Sequence, residues 1–189
     1  MPFVTQEAFL FYNPMIVKDK EFVKYISSEE LTQKIKALAD GINKEYKEKK
    51  PLFVAILNGS FMFAADLMKE IEIESEISFV KVASYEEMES TGNVKQLIGL
   101  NENIFSKDVI IIEDIIDTGR TIVKILEEFK SLGASSVEVV TLLQKPKSAE
   151  VKDQLKYIGF EIPDKFVVGY GLDYDGLGRN LKDIYQLKA

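Results

Sequence analysis

Apolar residues recur along the chain with two alternating spacings, one typical of amphipathic helices and the other of buried strands. Segment 27–49 opens with Ser27 and Glu30 at capping-box spacing and predicts a long amphipathic helix. Its apolar stripe consists of Leu31, Ile35, Leu38, Ile42 and Tyr46. The run "LFVAIL" (52–57) predicts a buried strand, and after the turn "NGS" the stripe in "FMFAADLMKEI" predicts a second helix.

The same alternation continues through the middle of the chain. "EISFVKVASY" (76–85), "DVIII" (108–112) and "VEVVTLL" (137–143) predict three more strands. Between the last two, a third helical stripe ends at Gly133, which suits the position after a helix. This stripe consists of Ile122, Ile125, Leu126, Phe129 and Leu132.

Strands this apolar, alternating with helices, predict an α/β fold in which helices flank a parallel sheet, with right-handed crossovers. Ligands of such sheets bind at the carboxyl ends of the strands. Three unusual loops follow predicted strands there: "LNGS" (57–60), "EDIIDTGRT" (113–121) and "LQKPKS" (143–148). We therefore expect the functional site at this edge.

Segment 84–96 is polar, contains Gly92 and has no helical stripe. It is either a lid over the site or an ordinary exposed loop.

Composition narrows the possible functions. A chain of 189 residues suits one α/β domain, and a net charge of −7 argues against a nucleic-acid partner. The N-terminus lacks the basic region of a signal peptide, and no apolar run approaches the roughly 18 residues of a membrane span, so a cytoplasmic protein without membrane contact is expected. Because the chain has neither cysteine nor histidine, acid/base chemistry must use Asp, Glu, Lys or Tyr.

The loop after the third strand can hold a phosphate. Gly119 permits close backbone approach, and amide groups at a helix start attract anions. The predicted phosphate cup comprises Thr118, Gly119, Arg120 and Thr121, and it is not a Walker A loop because the required spacing is absent from the chain. The simpler alternative, that Asp117 or Thr118 only caps the helix, stabilises by roughly 1 kcal/mol and leaves the preceding acidic pair unexplained.

That acidic pair, Glu113 and Asp114, directly follows the predicted strand. Carboxylates accept hydrogen bonds from vicinal hydroxyls, directly or through hydrated Mg²⁺. A sugar phosphate could therefore be held by its phosphate in the cup and by its hydroxyls at the pair. Asp117 would then face the group attached to the anomeric carbon.

The sequence "VIIIEDIIDTGRT" (109–121) resembles the signature of the type I phosphoribosyltransferases, which bind 5-phospho-α-D-ribosyl 1-pyrophosphate. Further segments resemble the hypoxanthine (guanine) phosphoribosyltransferases: "LNGS", Ser84-Tyr85, "LLQK" (142–145) and "GFEIPDKFVVGYGLDY" (159–174). The resemblance spans roughly residues 52–185.

The resemblance implies the type I phosphoribosyltransferase fold, with a small hood formed by the terminal segments. It implies one domain over residues 1–189, with a core of about 50–145 and a hood from the N-terminal segment and about 146–189. In the implied reaction, N9 of hypoxanthine or guanine displaces pyrophosphate from the ribose, with Mg²⁺ as cofactor. A homodimer or homotetramer is also implied.

The resemblance assigns roles around the sugar phosphate. It implies that Glu113 and Asp114 bind the ribose hydroxyls and metal, and that residues 118–121 hold the 5′-phosphate. Asp117 would lie near N7 of the purine as general base or acid, a role that suits a chain without histidine. Ser84 and Tyr85 would belong to the lid.

Roles for the purine and pyrophosphate follow from the same resemblance. Lys145 would donate to the 6-oxo group, Phe166 would stack on the base, and Val167 would supply backbone contacts. Asp173 would bind Mg²⁺. Asn58, Gly59 and Arg179 would bind pyrophosphate, with a cis peptide between Leu57 and Asn58. Many relatives carry a basic residue where this chain has Asn58, which weakens direct charge pairing there.

Two alternatives remain open from the sequence. One is a phosphoribosyltransferase for another base, such as xanthine. The other is a non-catalytic nucleotide sensor on the same fold, acting on RNA, against which the acidic charge balance and the intact Asp117 argue.

Overall fold

The computed structural model describes residues 14–82, 97–98, 100, 102–147, 151 and 155–188. The predicted lid, 84–96 with Ser84 and Tyr85, lies outside these residues. Three helices are described: α1 (Ser28–Glu45), α2 (Phe61–Glu70) and α3 (Arg120–Ser131). The described strands are β1 (Met15–Val17), β2 (Lys20–Ile26), β3 (Leu52–Leu57), β4 (Glu76–Val82), β5 (Leu97–Ile98), β6 (Asp108–Ile116), β7 (Ser136–Gln144), β8 (Tyr157–Glu161), β9 (Val167–Val168) and β10 (Ile184–Leu187).

Helix α1 begins as its sequence predicts. The Ser27 hydroxyl accepts a hydrogen bond from the Glu30 amide at 3.2 Å, and the Glu30 carboxylate accepts one from the Ser27 amide at 2.8 Å. This reciprocal capping box satisfies two amides that a helix start otherwise leaves unpaired. The predicted apolar stripe is buried throughout: Leu31, Ile35, Leu38, Ile42 and Tyr46.

The larger sheet confirms the predicted α/β fold. Its strand order is β5-β4-β3-β6-β7-β8. Strands β4, β3, β6, β7 and β8 run parallel, and the short β5 pairs antiparallel with β4 at the edge. Helices α1 and α2 pack on one face and α3 on the other, which agrees with the continuous apolar runs in the central strands.

Strand β6 shows how the two faces are filled. Ile110 and Ile112 pack with α1 and α2, whereas Val109 and Ile111 pack with α3. Successive side chains of a strand point to opposite faces, so a fully apolar run is needed between two helical layers. None of the helices in the described ranges is long and apolar enough to cross a bilayer.

The prediction that this strand ends at Ile112 is wrong. Strand β6 continues to Ile116, and its ladder with β7 still pairs Glu113 with Thr141 and Ile116 with Gln144. The acidic pair therefore lies within the strand rather than after it. Because side chains alternate along a strand, its two carboxylates must point to opposite faces.

A second, smaller sheet lies at the two ends of the described chain, with the antiparallel order β1-β2-β10-β9. We call this sheet, with the loop between β9 and β10, the hood. The hood contacts the core through Asp183, whose carboxylate accepts a hydrogen bond from the Ser28 amide at the start of α1 at 2.8 Å. Asp183 is 1% exposed and its carboxylate lies 2.7 Å from the Lys24 ammonium.

Candidate active site

A cavity of about 380 Å³ lies between the hood and the carboxyl edge of the larger sheet, which is a volume typical of small-molecule sites. Gly59 follows β3, Asp117 follows β6 and Lys145 follows β7, so the three predicted loops meet there. The lining residues are Gly59, Asp114, Ile115, Asp117, Lys145, Phe166, Val167, Leu172, Asp173 and Arg179.

The turn after β3 lies against the carboxylate of Asp114. A methyl group added at Gly59 would lie 1.7 Å from Asp114 Oδ2, so only glycine allows this approach. The peptide bond between Leu57 and Asn58 is cis, as the resemblance implies. Asn58 itself is exposed and does not line the cavity.

The acidic pair is divided between the two faces of the sheet. Asp114 lines the cavity and is 9% exposed, and burial raises its pKa to about 6, against hydrogen bonds from backbone amides that lower it. Glu113 is not among the lining residues, and its Oε2 is buried with no hydrogen-bond partner within the described part of the chain. Burial, and then the neighbouring Asp114, raises the pKa of Glu113 well above its ordinary value.

Asp117 and Lys145 form an ion pair in the cavity. Lys145 Nζ lies 3.2 Å from Asp117 Oδ2, and a second carboxylate, Asp164, lies 3.8 Å away. The Lys145 side chain is only 11% exposed, and the Lys145 amide donates to the Ile116 carbonyl at 2.9 Å. This backbone hydrogen bond joins the ends of β6 and β7 and so holds Asp117 and Lys145 close together.

The Phe166 ring is 44% exposed at the edge of the cavity, next to β9 of the hood. As a strand residue Phe166 would be expected in the core, whereas the stacking on a base that the resemblance implies requires an exposed ring. Phe22 and Tyr174 pack against it, with ring centroids 6.3 and 5.8 Å away. Tyr174 meets it edge-on, and Val167, which follows it, is buried. The arrangement holds an aromatic ring at the cavity edge.

Asp173 and Arg179 form a pair on the loop between β9 and β10. Arg179 Nη2 lies 2.7 Å from Asp173 Oδ1, and Arg179 Nη1 donates to the Gly171 carbonyl at 2.7 Å. The other Asp173 oxygen accepts from the Gly176 amide at 2.7 Å. Cation and carboxylate are therefore both held at the cavity wall.

The predicted phosphate cup, residues 118–121, lies at the start of α3 and outside the set of cavity-lining residues. Thr118, Arg120 and Thr121 are exposed, and Gly119 is buried with φ +80°. Gly119 occupies the N-cap position without a side-chain capping bond, and the Thr118 hydroxyl accepts a long hydrogen bond, 3.5 Å, from the Arg120 amide at the start of the helix. The first turn of α3 keeps the positive potential that attracts anions.

The carboxylates at the cavity suit a magnesium ion that is shared with a substrate. In the described ranges no group of three or more acidic side chains could hold a metal alone. Mg²⁺ usually binds one or two carboxylates together with waters and substrate phosphates. Asp114 and Asp173 both line the cavity, so their carboxylates fit such a shared site. Glu113 does not line it, and its buried carboxylate oxygen lies on the other face of the sheet.

Sequence reasoning missed two apolar lining residues, Ile115 and Leu172. Both stand within segments that carry the resemblance, but neither has a polar group, so only their neighbours Asp114 and Asp173 could have indicated them. The close contact between Gly59 and Asp114 was also missed, because the two residues are distant along the chain.

Comparisons with known proteins give a consistent result. The family model described as "Phosphoribosyl transferase domain" matches residues 26–175. A hypoxanthine phosphoribosyltransferase of Buchnera aphidicola is 45% identical over 159 residues, which cover 82% of this chain and 90% of that protein. A hypoxanthine-guanine phosphoribosyltransferase of Staphylococcus epidermidis is 46% identical over 172 residues, covering 90% and 96%.

Solved structures show the same similarity. A crystal structure of a hypoxanthine phosphoribosyltransferase from Staphylococcus aureus has a TM-score of 0.79 and 42% identity, over 87% of this chain and 90% of that one. A crystal structure of the hypoxanthine phosphoribosyltransferase of Trypanosoma cruzi has a TM-score of 0.78 and 30% identity. That match covers 87% of this chain and 95% of that one.

Proposed function

The chain belongs to the phosphoribosyltransferase family, and from this premise we propose that it transfers a 5-phosphoribosyl group from 5-phosphoribosyl 1-pyrophosphate to N9 of hypoxanthine or guanine. The products are inosine or guanosine 5′-monophosphate and pyrophosphate, so the reaction salvages purines. One observation carries this assignment: a single cavity gathers a lysine–aspartate pair, an exposed aromatic ring and an arginine–aspartate pair.

The purine binds between Phe166 and the ion pair of Lys145 and Asp117. An ammonium group has donors only, so Lys145 donates a hydrogen bond to the 6-oxo group of hypoxanthine or guanine and disfavours the 6-amino group of adenine. The half-exposed ring of Phe166 offers a stacking face, and the backbone of Val167 contacts the base near its 2-position.

Asp117 handles the proton at N7. When N9 bonds to the ribose, a proton at N7 becomes more acidic. A carboxylate beside N7 can accept this proton. Asp117 suits the role because it lines the cavity and the chain contains no histidine.

The sugar phosphate spans the carboxyl end of β6. The amides and hydroxyls of residues 118–121 bind the 5′-phosphate at the start of α3. Asp114, which faces the cavity, binds the ribose hydroxyls. Glu113 points to the other face of the sheet, so its role at the ribose requires its side chain to turn towards the cavity. The support for this division is the exposed start of α3 directly after the acidic strand end.

The pyrophosphate lies between the turn at Asn58 and Gly59 and the guanidinium of Arg179. Asp173 and Asp114 would hold Mg²⁺, joined by Glu113 if its side chain turned towards the cavity, and the bound ion would neutralise charge on the leaving pyrophosphate. Arg179 presents a planar set of donors that suits phosphate oxygens, and its bond to the Gly171 carbonyl fixes its direction.

We propose further that residues 1–189 form a single domain, with a core of about 50–145 and a hood from the N-terminal segment and about 146–189. The chain would form a homodimer or homotetramer in the cytoplasm. Light scattering of the purified chain tests the assembly. The lid role of Ser84 and Tyr85 stays a prediction.

The test is incubation of the chain with 5-phosphoribosyl 1-pyrophosphate, Mg²⁺ and one of four purines, following nucleotide formation. We expect product with hypoxanthine, guanine or both, and none with adenine. Product with xanthine alone would favour the alternative base. Nucleotide binding without turnover on any purine would favour the non-catalytic sensor.

A further inference from the structure

Two segments that line the cavity carry the groups proposed for pyrophosphate. One is the turn 57–60 after β3, and the other is the loop 169–181 of the hood, which holds Arg179. We propose that the hydrogen bond between Tyr170 and Asp66 sets the spacing of these segments, so that both residues are positioning residues for the pyrophosphate part of the substrate. This inference rests on the proposed function.

The backbone around Tyr170 is fixed in an uncommon conformation. Gly169, Tyr170 and Gly171 have φ angles of +102°, +51° and +99°, a region that a bulky residue rarely adopts. The Tyr170 amide donates to the Leu181 carbonyl at 2.8 Å, and the Gly171 amide donates to the Arg179 carbonyl at 2.9 Å. The loop is therefore tied across its own ends, and the direction of the Tyr170 side chain is determined.

That side chain crosses to helix α2. Tyr170 is 4% exposed, and its hydroxyl donates to Asp66 Oδ2 at 2.5 Å. Burial, and then this bond, raises the pKa of Tyr170, so the phenol remains a donor. Burial raises the pKa of Asp66, but hydrogen bonds from Lys69 and Tyr170 outweigh it and hold the pKa below its ordinary value. The contact is thus a charge-assisted hydrogen bond, which is stronger than one between neutral groups.

Helix α2 connects Asp66 to the pyrophosphate turn. The helix begins at Phe61, directly after the turn, and the buried Ser60 hydroxyl donates to the Ile56 carbonyl at 2.5 Å. A helix is stiff over two turns, so Asp66 and residues 57–60 move together. A displacement of the Tyr170 hydroxyl would be transmitted to the turn.

The loop and the turn meet without space to spare. A methyl group added at Gly171 would lie 2.0 Å from the Gly59 carbonyl oxygen, and that at Gly59 would collide with Asp114. Arg179 Nη1 donates to the carbonyl of the same Gly171. The hydrogen bond of the Tyr170 hydroxyl therefore helps to keep Gly171, which orients Arg179, in contact with Gly59 of the turn. Loss of this bond should loosen the protein groups that bind pyrophosphate and leave the ion pair at the base in place.

The test compares two phenol-to-phenyl substitutions. Tyr170→Phe removes the hydroxyl and keeps the ring, and Asp66, with a side chain 41% exposed, can be rehydrated. Tyr157→Phe is the matched control, because its hydroxyl donates to Glu45 at 2.6 Å, away from the cavity-lining residues. We expect Tyr170→Phe to raise the KM for 5-phosphoribosyl 1-pyrophosphate roughly tenfold. The KM for hypoxanthine and kcat should stay within about twofold, and Tyr157→Phe should change none of these values.

Calorimetric titration of the protein with pyrophosphate in the presence of Mg²⁺ measures binding without turnover. We expect weaker pyrophosphate binding in Tyr170→Phe than in Tyr157→Phe or the unchanged chain. Equal affinity in all three, or an equal rise of both KM values in Tyr170→Phe, would overturn the positioning role. An unchanged chain that forms no nucleotide contradicts the proposed function instead, and the titration still decides this inference.

A double-mutant cycle identifies the bond itself. Asp66→Asn alone should weaken pyrophosphate binding, and Asp66→Asn with Tyr170→Phe should weaken it no more than the more severe single substitution. Lys69→Gln controls for the exposed ion pair that Asp66 also makes with Lys69, at 2.8 Å. Additive effects of Asp66→Asn and Tyr170→Phe, or an equal effect of Lys69→Gln, would show that the bond does not position the site.

Discussion

The carboxylate of Asp117 lies 3.2 Å from the ammonium of Lys145, so the residue proposed for proton handling and the residue proposed for 6-oxo recognition form one ion pair. A purine that brings its 6-oxo group to Lys145 brings N7 towards Asp117, because these atoms are neighbours on the same edge of the base. In the proposed reaction, recognition of the base and transfer of its proton would therefore be coupled by geometry.

Asp117→Asn tests the proton step. Asparagine keeps the size of the side chain and can accept a hydrogen bond, but it cannot take up a proton. We expect kcat to fall by about 10²- to 10⁴-fold, while binding of 5-phosphoribosyl 1-pyrophosphate changes by less than about threefold. Steady-state kinetics and calorimetry measure the two quantities, and an unchanged kcat would remove Asp117 from the mechanism.

Lys145→Met tests the recognition of the 6-oxo group. Methionine keeps an unbranched apolar stem but has no donor, so the 6-oxo group of a bound base would lose its partner. We expect kcat/KM for hypoxanthine to fall by roughly 10²-fold and the discrimination against adenine to shrink.

Lys147→Met is the matched control for this substitution. Lys147 is 60% exposed and pairs with Asp164 at 2.7 Å, and it does not line the cavity. Its loss should leave kcat/KM for hypoxanthine within about twofold. If both variants lose activity equally, the loss of positive charge near the site, and not a bond to the base, explains the effect.

The elements that the sequence predicts well are those with a long periodic pattern. Helix α1 has such a pattern, strand β3 is found instead from its continuous apolar run, and the motif around Asp117 marks the site itself. The two-residue strand β9 is too short to show any periodicity, and β8 carries none that separates it from a loop. The extension of β6 through Glu113 and Asp114 departs from the rule that buried strands are apolar, so the apolar pattern ends before the strand does.

Individual side-chain contacts between distant segments could not be predicted. The packing of Phe166 against Phe22 joins residues that are far apart in the chain. The bond between Tyr170 and Asp66 joins residues from the hood and α2. A periodic pattern describes which face of an element is buried, but it contains no information on which side chain of another element lies opposite.

Gly59→Ala tests the close approach of the turn to the acidic strand. The added methyl group would lie 1.7 Å from Asp114 Oδ2, so either the turn or the carboxylate must move. We expect kcat/KM for 5-phosphoribosyl 1-pyrophosphate to fall by at least about 10²-fold, since displacements of about 1 Å have effects of that size. Steady-state kinetics measure it.

Gly41→Ala is the control for Gly59→Ala. Gly41 lies within α1, and an added methyl group would make only an ordinary contact of 3.7 Å with the Tyr157 ring. Alanine is a better helix former than glycine, so this variant should be more stable by about 0.5–1 kcal/mol, with unchanged kinetics. Normal activity in Gly59→Ala would mean that the turn can move without loss.

The stability of the protein should depend on pH through Asp183, which joins the hood to α1. Burial raises the pKa of this carboxyl group, but the hydrogen bonds from Lys24 and from the Ser28 amide outweigh it, so its pKa lies below the ordinary value. A carboxyl group whose pKa is lower in the folded than in the unfolded state stabilises the fold above its unfolded pKa, near 4, and loses this contribution as the pH falls through the folded value.

Asp183→Asn removes the titrating group but keeps an acceptor for the Ser28 amide. We expect the free energy of unfolding at pH 7 to decrease by about 1–3 kcal/mol, with a smaller difference from the unchanged chain at pH 3. Urea unfolding at the two pH values measures it, and a difference that is as large at pH 3 as at pH 7 would show that the charge of Asp183 contributes nothing.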